Sequence, residues 1–149
     1  MLSDEVAGTT ARIVENQPEW PCRRGCDHCC RSLSSPMRMT EPEWERLAEG
    51  LAELDDGAHS GIRGRLDEPR ICALLDRTSG ACMVYAARPI ACRAYGFYAG
   101  RDGGRWCEAV EQRDDLTSSV ILGNHDVLES ALETLGASRT LADWWREKF

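Results

Sequence analysis

The amino-acid sequence predicts a mainly α fold, in which residues 1–149 form a small single domain with an irregular cysteine-rich middle and one short β-hairpin. Apolar residues recur at helical spacing near both ends of the chain, whereas the middle carries few helix or strand signals of its own. The length is enough for one domain with a hydrophobic core. We expect a cysteine-cluster region of about 20–108 and a helical C-terminal part of about 109–149.

Two stretches in the N-terminal half have helical patterns. A first helix is predicted over about residues 3–16. The stretch Thr40–Glu43 has a capping-box pattern, in which the threonine side chain accepts from a first-turn amide and the glutamate reaches back to the chain. Apolar residues then recur at helical spacing, so an amphipathic helix is predicted over residues 41–54.

The middle of the chain is punctuated by turn residues. Residues 55–70 are polar with three glycines, which predicts a loop or a short helix. Two apolar runs flank Asp76–Gly80, so a short hairpin is predicted there. One helical turn is expected over Arg88–Arg93, and residues 99–105 are expected to form a turn-rich loop.

The C-terminal part has helical periodicity again. Apolar residues from Leu116 onward predict helices that end at Gly136. A last helix is predicted from Thr140, capped with Asp143, and it contains two adjacent tryptophans. The sequence leaves open whether these tryptophans lie in the core or contact a partner.

Composition and charge exclude several classes of protein. The net charge of −7 argues against a broad surface for nucleic acid or for an anionic membrane. No apolar run approaches the about 18 residues of a membrane span. The N-terminal residues lack the basic start and apolar core of a secretory signal. We therefore expect a cytoplasmic protein that contacts neither nucleic acid nor membrane.

Positive charge is concentrated where the cysteines are. Residues 20–38 and 86–107 contain six of the eight cysteines. Basic side chains next to thiols stabilise thiolates, although a basic surface patch would give the same pattern. The arginines in the two stretches are Arg23, Arg24, Arg31, Arg38, Arg88, Arg93, Arg101 and Arg105.

The eight cysteines allow three interpretations. A disulfide framework is disfavoured, because cytosolic thiols are kept reduced and the chain can build a core without cross-links. Buried structural thiols would explain isolated cysteines, but they do not explain four cysteines within nine positions. The remaining interpretation is metal ligation by Cys22, Cys26, Cys29, Cys30, Cys72, Cys82, Cys92 and Cys107.

Metal ligation is favoured because thiolates that are close in sequence converge on one centre with little loop-closure cost. Thiolate ligands select zinc, iron–sulfur clusters or cuprous copper. The adjacent Cys29 and Cys30 are expected to point in different directions and to serve different metals or different irons. Eight thiolates suit two four-ligand sites or one multinuclear site.

Zinc and iron–sulfur both remain open from the spacing. Zinc ribbons usually supply two paired knuckles, whereas this chain has one, from Cys26 to Cys29. The spacing from Cys22 to Cys29 also occurs in radical enzymes that hold an iron–sulfur cluster. Their barrel needs ~200 residues or more, so that assignment is rejected. The comparison leaves a slight preference for iron–sulfur over zinc.

A series of motifs resembles a known family. In chain order they are Cys22-x3-Cys26-x2-Cys29-Cys30, Met37-Arg38-Met39-Thr40-x2-Glu43, Cys72-x-Leu74-Leu75 and Gly80-x-Cys82-x-Val84-Tyr85-x2-Arg88-Pro89-x2-Cys92-Arg93-x-Tyr95. This order is similar to the YkgJ-type cysteine-cluster family, which is described as zinc- or iron-chelating. The resemblance covers roughly residues 20–108. Ala73 departs from the family, which often has proline there, and this departure should alter a turn and not a ligand.

The resemblance implies that all eight cysteines are candidate ligands, with Cys107 the least securely placed. It implies a metal ion or cluster as the binding partner. A longer relative, the flagellin lysine methylase, has a similar cysteine array that is associated with an iron–sulfur cluster. Its methyl transfer is not carried over, because this chain has no glycine-rich loop that would hold a cofactor.

Other side chains give no catalytic arrangement. His28 lies inside the cysteine motif and is interpreted as a solvent-facing or supporting residue more readily than as a ligand, and no serine, histidine and acid set stands out. The leading hypothesis is a metal-binding protein. The alternatives are a metal-dependent enzyme, a redox or accessory subunit of an enzyme, and a protein for metal delivery or sensing.

Overall fold

A computed structural model describes all residues, 1–149, and confirms the mainly α fold, since half of the residues are helical. The helices are α1 (Leu2–Asn16), α2 (His28–Arg31), α3 (Glu41–Ala52), α4 (Asp56–Arg65), α5 (Ile90–Ala94), α6 (Glu108–Glu111), α7 (Asp114–Thr117), α8 (His125–Glu133) and α9 (Leu141–Lys148). The short strands are β1 (Arg38–Met39), β2 (Leu75–Asp76), β3 (Ala81–Cys82), β4 (Tyr98–Gly100), β5 (Gly103–Arg105), β6 (Gly123–Asn124) and β7 (Arg139–Thr140). None of the helices combines the length and the apolar character that crossing a bilayer requires.

The chain forms two compact units, each assembled from two separate stretches of sequence. The first unit contains residues 1–23 and 90–134, and the second unit contains residues 24–89 and 135–149. Each unit has its own hydrophobic core. The grouping of residues 1–149 into a single domain stays a prediction.

In the first unit α1 packs against α5, and α8 packs against a three-stranded sheet. Strand β4 is central, antiparallel to β5 and parallel to β6. Arg93 of α5 donates to the Ser3 Oγ of α1 at 2.6 Å, which fixes the two helices together. The Trp20 ring stacks on Phe97 with ring centroids 6.0 Å apart. The core consists of Val6, Ile13, Trp20, Ile90, Ala94, Phe97, Tyr98, Val110, Leu116 and Leu128.

The second unit is organised around stacked tryptophans. The rings of Trp44 in α3 and Trp144 in α9 are nearly parallel, with centroids 6.1 Å apart. The Trp144 indole N–H donates to the Met39 carbonyl at 3.0 Å, next to the antiparallel pair β1–β7. Both C-terminal tryptophans therefore lie in a core. That core consists of Met39, Trp44, Leu47, Leu51, Ile62, Ala73, Leu74, Val84, Leu141, Trp144 and Trp145.

Local signals placed several elements correctly. Capping boxes at Thr40 and at Thr140 begin α3 and α9, and the backbone N–H of Thr40 donates to the Glu43 carboxylate at 2.8 Å. The predicted hairpin is the pair β2–β3. Residues 55–70, predicted as a loop or a short helix, contain the ten-residue helix α4, because the Asp55 carboxylate accepts from the first-turn amide of Ala58 at 2.7 Å.

The segment 99–105 differs from the predicted loop, because most of it forms the second hairpin, β4–β5. Gly103 has a φ of +113°, a left-handed conformation that glycine adopts without strain. Gly104 lies under the Trp106 ring, so a side chain at that position would overlap the indole. The glycines therefore allow a tight hairpin that residue propensities alone do not signal.

Candidate metal centre

The eight predicted ligands are divided between the two units. All eight cysteines are free and half-buried. The second unit contains five, Cys26, Cys29, Cys30, Cys72 and Cys82, and the first unit contains Cys22, Cys92 and Cys107.

The adjacent cysteines of the second unit interact directly. Cys29 and Cys30 lie in α2, a single helical turn that follows Asp27. A hydrogen bond from the Cys30 side chain lowers the pKa of Cys29 to about 6, although burial acts in the opposite direction. The two thiols therefore interact with each other, and whether they serve different metals or different irons stays a prediction.

The other two cysteines reach this pair through the backbone of the β2–β3 hairpin. The Cys72 backbone N–H donates to the Cys30 carbonyl at 2.8 Å. Cys82 lies opposite Leu75 in the antiparallel register of the hairpin. Burial raises the pKa of Cys72 to about 11, and the charges of Cys82 and Cys29 raise it further. We call Cys29, Cys30, Cys72 and Cys82 the four-thiol cluster.

Backbone amides act on the pKa of three of these thiols. Burial raises the pKa of Cys72 and of Cys82, and the amides of Leu74 and Leu75 near Cys72 and of Val84 near Cys82 oppose the rise. The amides of α2 help the Cys30 side chain to lower the pKa of Cys29. Amides near sulfur stabilise the thiolate and tune metal–thiolate sites. The Cys-x-Leu-Leu and Cys-x-Val spacings, which place these amides two or three residues after a cysteine, are the sequence signal for them.

The arrangement fits a soft metal by its donor chemistry, since thiolates are the ligands that zinc and iron–sulfur clusters select. No group of three or more His, Cys, Asp or Glu side chains lies in position to enclose a metal ion in the structure. The four-thiol cluster therefore supplies suitable donors, but in the structure they do not converge on one point.

Two of the predicted arginines act on the four-thiol cluster. Burial raises the pKa of Cys82, and the charges of Arg88 and Arg24 oppose this rise. Both guanidiniums lie over the Tyr85 ring. Four of the other predicted arginines have partners that are not cysteines. Arg31 forms an ion pair with Asp27 and Arg101 with Asp126, whereas Arg38 donates a hydrogen bond to Ser138 and Arg93 to Ser3.

We expect alkylation of the reduced, metal-free protein to begin at Cys29. A thiol with a pKa of about 6 is mostly thiolate at pH 7, whereas Cys72, with a pKa of about 11, stays protonated. The rate at Cys29 should therefore rise through pH 6 and level off above it. Iodoacetamide labelling followed by peptide mass spectrometry measures both sites, and labelling of Cys72 as fast as Cys29 at pH 7 would contradict the expectation.

Two of the three thiols of the first unit, Cys22 and Cys107, lie next to its core. Cys92 is in α5, and Cys107 precedes the first turn of α6. Cys22 packs against the core, and its sulfur lies where a side chain at Gly96 would be. Gly96 has a φ of +96°, and its carbonyl accepts from the Trp20 indole at 3.0 Å. Gly96 therefore sets the position of Cys22.

Replacing Gly96 with alanine should destabilise the protein by about 3 kcal/mol, because left-handed strain and overlap with the Cys22 sulfur add. Gly136→Ala is a matched control, since Gly136 has a φ of +110° but open space around it. The control should lose only about 1–2 kcal/mol from backbone strain. Urea unfolding followed by circular dichroism gives both values, and equal losses would show that Cys22 is not constrained by Gly96.

The histidines have roles outside the four-thiol cluster. His28 is exposed at the start of α2, as predicted for a solvent-facing residue. The His59 ring bonds the Leu51 carbonyl at 2.7 Å and packs against Trp145. His125 begins α8 and lies 4.0 Å from the Glu129 carboxylate.

A comparison with protein families finds a match over the cysteine-bearing part of the chain. Residues 21–118 match the CxxCxxCC family, described as "Putative zinc- or iron-chelating domain". The chain belongs to this family. The family predicted from the sequence motifs is thereby confirmed. A metal ion is accordingly the binding partner that the CxxCxxCC family supports. No curated protein and no solved structure shows a significant match to the chain.

Proposed function

We propose that this chain is a metal-binding protein whose four-thiol cluster, Cys29, Cys30, Cys72 and Cys82, forms one thiolate site in the second unit. The observation that carries the proposal is the hydrogen bond of 2.8 Å from the Cys72 amide to the Cys30 carbonyl. It joins cysteines that are more than forty positions apart in sequence. The backbone amides near these cysteines support the proposal, because they lower the pKa of the thiols and so favour the thiolate forms that a metal requires.

The remaining cysteines belong to the proposal as ligands predicted from the sequence. They are Cys22, Cys26, Cys92 and Cys107. Serine variants of each, analysed for metal content, would assign them one at a time. A variant that keeps the full metal content would remove its cysteine from the ligand set.

We favour an iron–sulfur cluster over zinc as the bound group. The sequence has only one short knuckle, from Cys26 to Cys29, where zinc ribbons have two. A bound cluster would supply electron transfer, whereas four-coordinate zinc would supply structural support.

Anaerobic purification with an absorption spectrum and elemental analysis tests the proposal. Iron and sulfide with broad absorption near ~400 nm would identify a cluster. A colourless protein that contains zinc would support the thiolate site and show that its metal is zinc instead of iron. Protein that binds neither metal would refute the proposal. Three protein ligands per metal, instead of four, would favour the enzyme alternative because they leave an open position.

Metal removal should loosen the second unit locally, since metal binding and folding are coupled in thiolate sites. We expect hydrogen exchange to accelerate in α2 and in the β2–β3 hairpin, whose backbone bonds converge on the cysteines. Helix α3 is the internal control, because it packs through the tryptophan core. Mass-spectrometric exchange before and after chelation measures this, and unchanged exchange at the hairpin would argue against the site.

A further inference from the structure

Two arginine side chains of the second unit lie over one aromatic ring. The Arg88 Cζ is 3.7 Å from the centroid of the Tyr85 ring, and the Arg24 Cζ is 5.1 Å from it. A cation over the face of a ring is attracted by the ring electrons, and this contact does not use its N–H donors. The Tyr85 ring therefore holds two positive charges close together, although like charges repel each other.

The protein supplies no acidic side chain as an ion-pair partner for either of these two arginines. Ion pairs in the second unit involve other arginines, among them Arg31 with Asp27 and Arg77 with Glu68. Asp27 is also the acidic residue nearest in sequence to Arg24, so the acid that could most easily reach this arginine is already paired. An anion from outside the protein would therefore meet two uncompensated cations at one ring.

The N–H donors of the two arginines are also largely unused. The Arg88 Nε donates to the Tyr85 carbonyl at 3.0 Å, and the other side-chain donors of Arg88 and Arg24 have no acceptor in the protein. The buried side-chain nitrogen and oxygen atoms without a partner are instead Arg65 Nε and Trp145 Nε1. The unused donors at the Tyr85 ring are thus accessible to solvent, and an oxyanion can reach them.

The backbone beneath the ring is held in place by α3. A single turn of 3-10 helix, Tyr85–Ala87, carries the ring. Arg46 of α3 donates to the Ala86 carbonyl at 3.1 Å. Gly50 of α3 lies so close to the turn that a Cβ at Gly50 would be 3.0 Å from the Ala87 Cβ. Because the turn is packed in this way, binding a ligand at its surface requires little ordering of the backbone.

Phosphate is the anion that matches this pair of charges. Guanidinium groups bind carboxylates and phosphates through two parallel N–H···O bonds. A phosphate monoester carries about −1.5 to −2 charges at pH 7 and three acceptor oxygens, whereas a carboxylate carries a single charge. The net charge of −7 repels an extended polyanion such as nucleic acid. A single small phosphate group therefore fits both the local and the overall charge.

We propose that Arg24 and Arg88, held over the Tyr85 ring, form a binding site for the phosphate group of a small molecule. The two guanidinium groups donate to the phosphate oxygens, and Tyr85 is the positioning residue that keeps them together. No cysteine takes part, so this site goes beyond the proposed metal binding and does not depend on it.

Calorimetric titration at neutral pH and constant ionic strength tests the site with inorganic phosphate, glycerol phosphate and acetate. We expect both phosphates to bind saturably and more tightly than acetate. Arg24→Gln and Arg88→Gln should each weaken phosphate binding by about tenfold or more, through loss of charge-assisted hydrogen bonds. Tyr85→Leu should also weaken binding, whereas the conservative Tyr85→Phe keeps the ring and should restore it.

The two phosphate probes identify the source of the group. Tighter binding of glycerol phosphate than of inorganic phosphate would support an organic phosphate monoester as the ligand. Equal or weaker binding of glycerol phosphate would support the free phosphate ion. Wild-type protein that binds neither phosphate, or that binds acetate as tightly as phosphate, would overturn the inference.

Arg77→Gln is the matched control, since it removes the same charge from the same unit but its partner is Glu68. It should bind phosphate like the wild type, and glutamine variants of Arg24 and Arg88 that also do so would overturn the inference. Because Arg24 is exposed, Arg24→Gln is expected to fold and keeps the test decisive even if Arg88→Gln does not.

Metal content measured on the same samples separates this site from the thiolate site. Arg24→Gln should keep the metal content of the wild type while it loses phosphate binding. Loss of the metal together with the phosphate would overturn the inference, because the arginine would then serve the thiolates. Wild-type protein that binds phosphate but neither zinc nor iron would overturn the proposed metal binding and leave the phosphate site standing.

Discussion

Replacing Cys29 with serine is expected to weaken metal binding on the order of a hundredfold. Structural zinc sites gain about 10–16 kcal/mol from their ligands together, which is about 3 kcal/mol for each of four thiolates. Cys29 should show the full effect, because it interacts with Cys30, Cys72 and Cys82 and joins the cluster together. Competition with a chromophoric chelator, together with metal content after purification, measures the loss.

Met83→Leu is the control for this variant. It removes a sulfur atom next to Cys82 without removing a thiolate, and a leucine of similar volume suits the core contact that Met83 makes. Its metal affinity should equal that of the wild type. A Cys29→Ser protein with wild-type metal content would show that the four-thiol cluster is not the site, whatever the other cysteines do.

Replacing Trp144 with alanine is expected to destabilise the protein by about 3–5 kcal/mol, the usual effect of truncating a buried aromatic side chain. The variant removes the stacking on Trp44 and leaves the Met39 carbonyl without its indole donor. Urea unfolding of the metal-free protein gives the free energy of unfolding directly. A loss of about 3–5 kcal/mol is a large fraction of the total stability of a typical domain.

Trp144→Phe separates the two contributions. It keeps an aromatic ring against Trp44 but removes the indole N–H, so a loss of about 1–3 kcal/mol is expected from the unsatisfied carbonyl. An alanine variant as stable as the wild type would show that α9 contributes little to the second unit. Equal losses in both variants would show that the hydrogen bond matters and the packing does not.

The helices with local start signals could be predicted from the sequence. Capping boxes at Thr40 and Thr140 predict the starts of α3 and α9, because a capping box depends only on residues three positions apart. The glycines of α4 weaken its helical signal, so the sequence predicts a loop or a short helix there, and the Asp55 cap outweighs the glycines in the structure. The β4–β5 hairpin differs from the predicted loop because it depends on Trp106 packing over Gly104, a contact that no propensity describes.

The candidate site could be predicted as a set of residue types but not as an arrangement. Spacing groups Cys26, Cys29 and Cys30, whereas the approach of Cys72 to this motif depends on a backbone bond across some forty residues. The contact of Arg24 with the Tyr85 ring likewise cannot be predicted locally, since Arg24 comes from a distant stretch of the sequence. Long-range contacts of this kind follow from packing, which a single sequence read locally does not encode.

The way the two units alternate along the chain means that the cysteine-bearing segment completes neither core by itself. Residues 21–118, the part that matches the CxxCxxCC family, contain portions of both units. They lack α1, which buries Val6 and Ile13 in one core, and α9, which buries Trp144 in the other. A fragment of residues 21–118 would carry all eight cysteines without these helices, so we expect the cysteines to be held in place only in the longer chain.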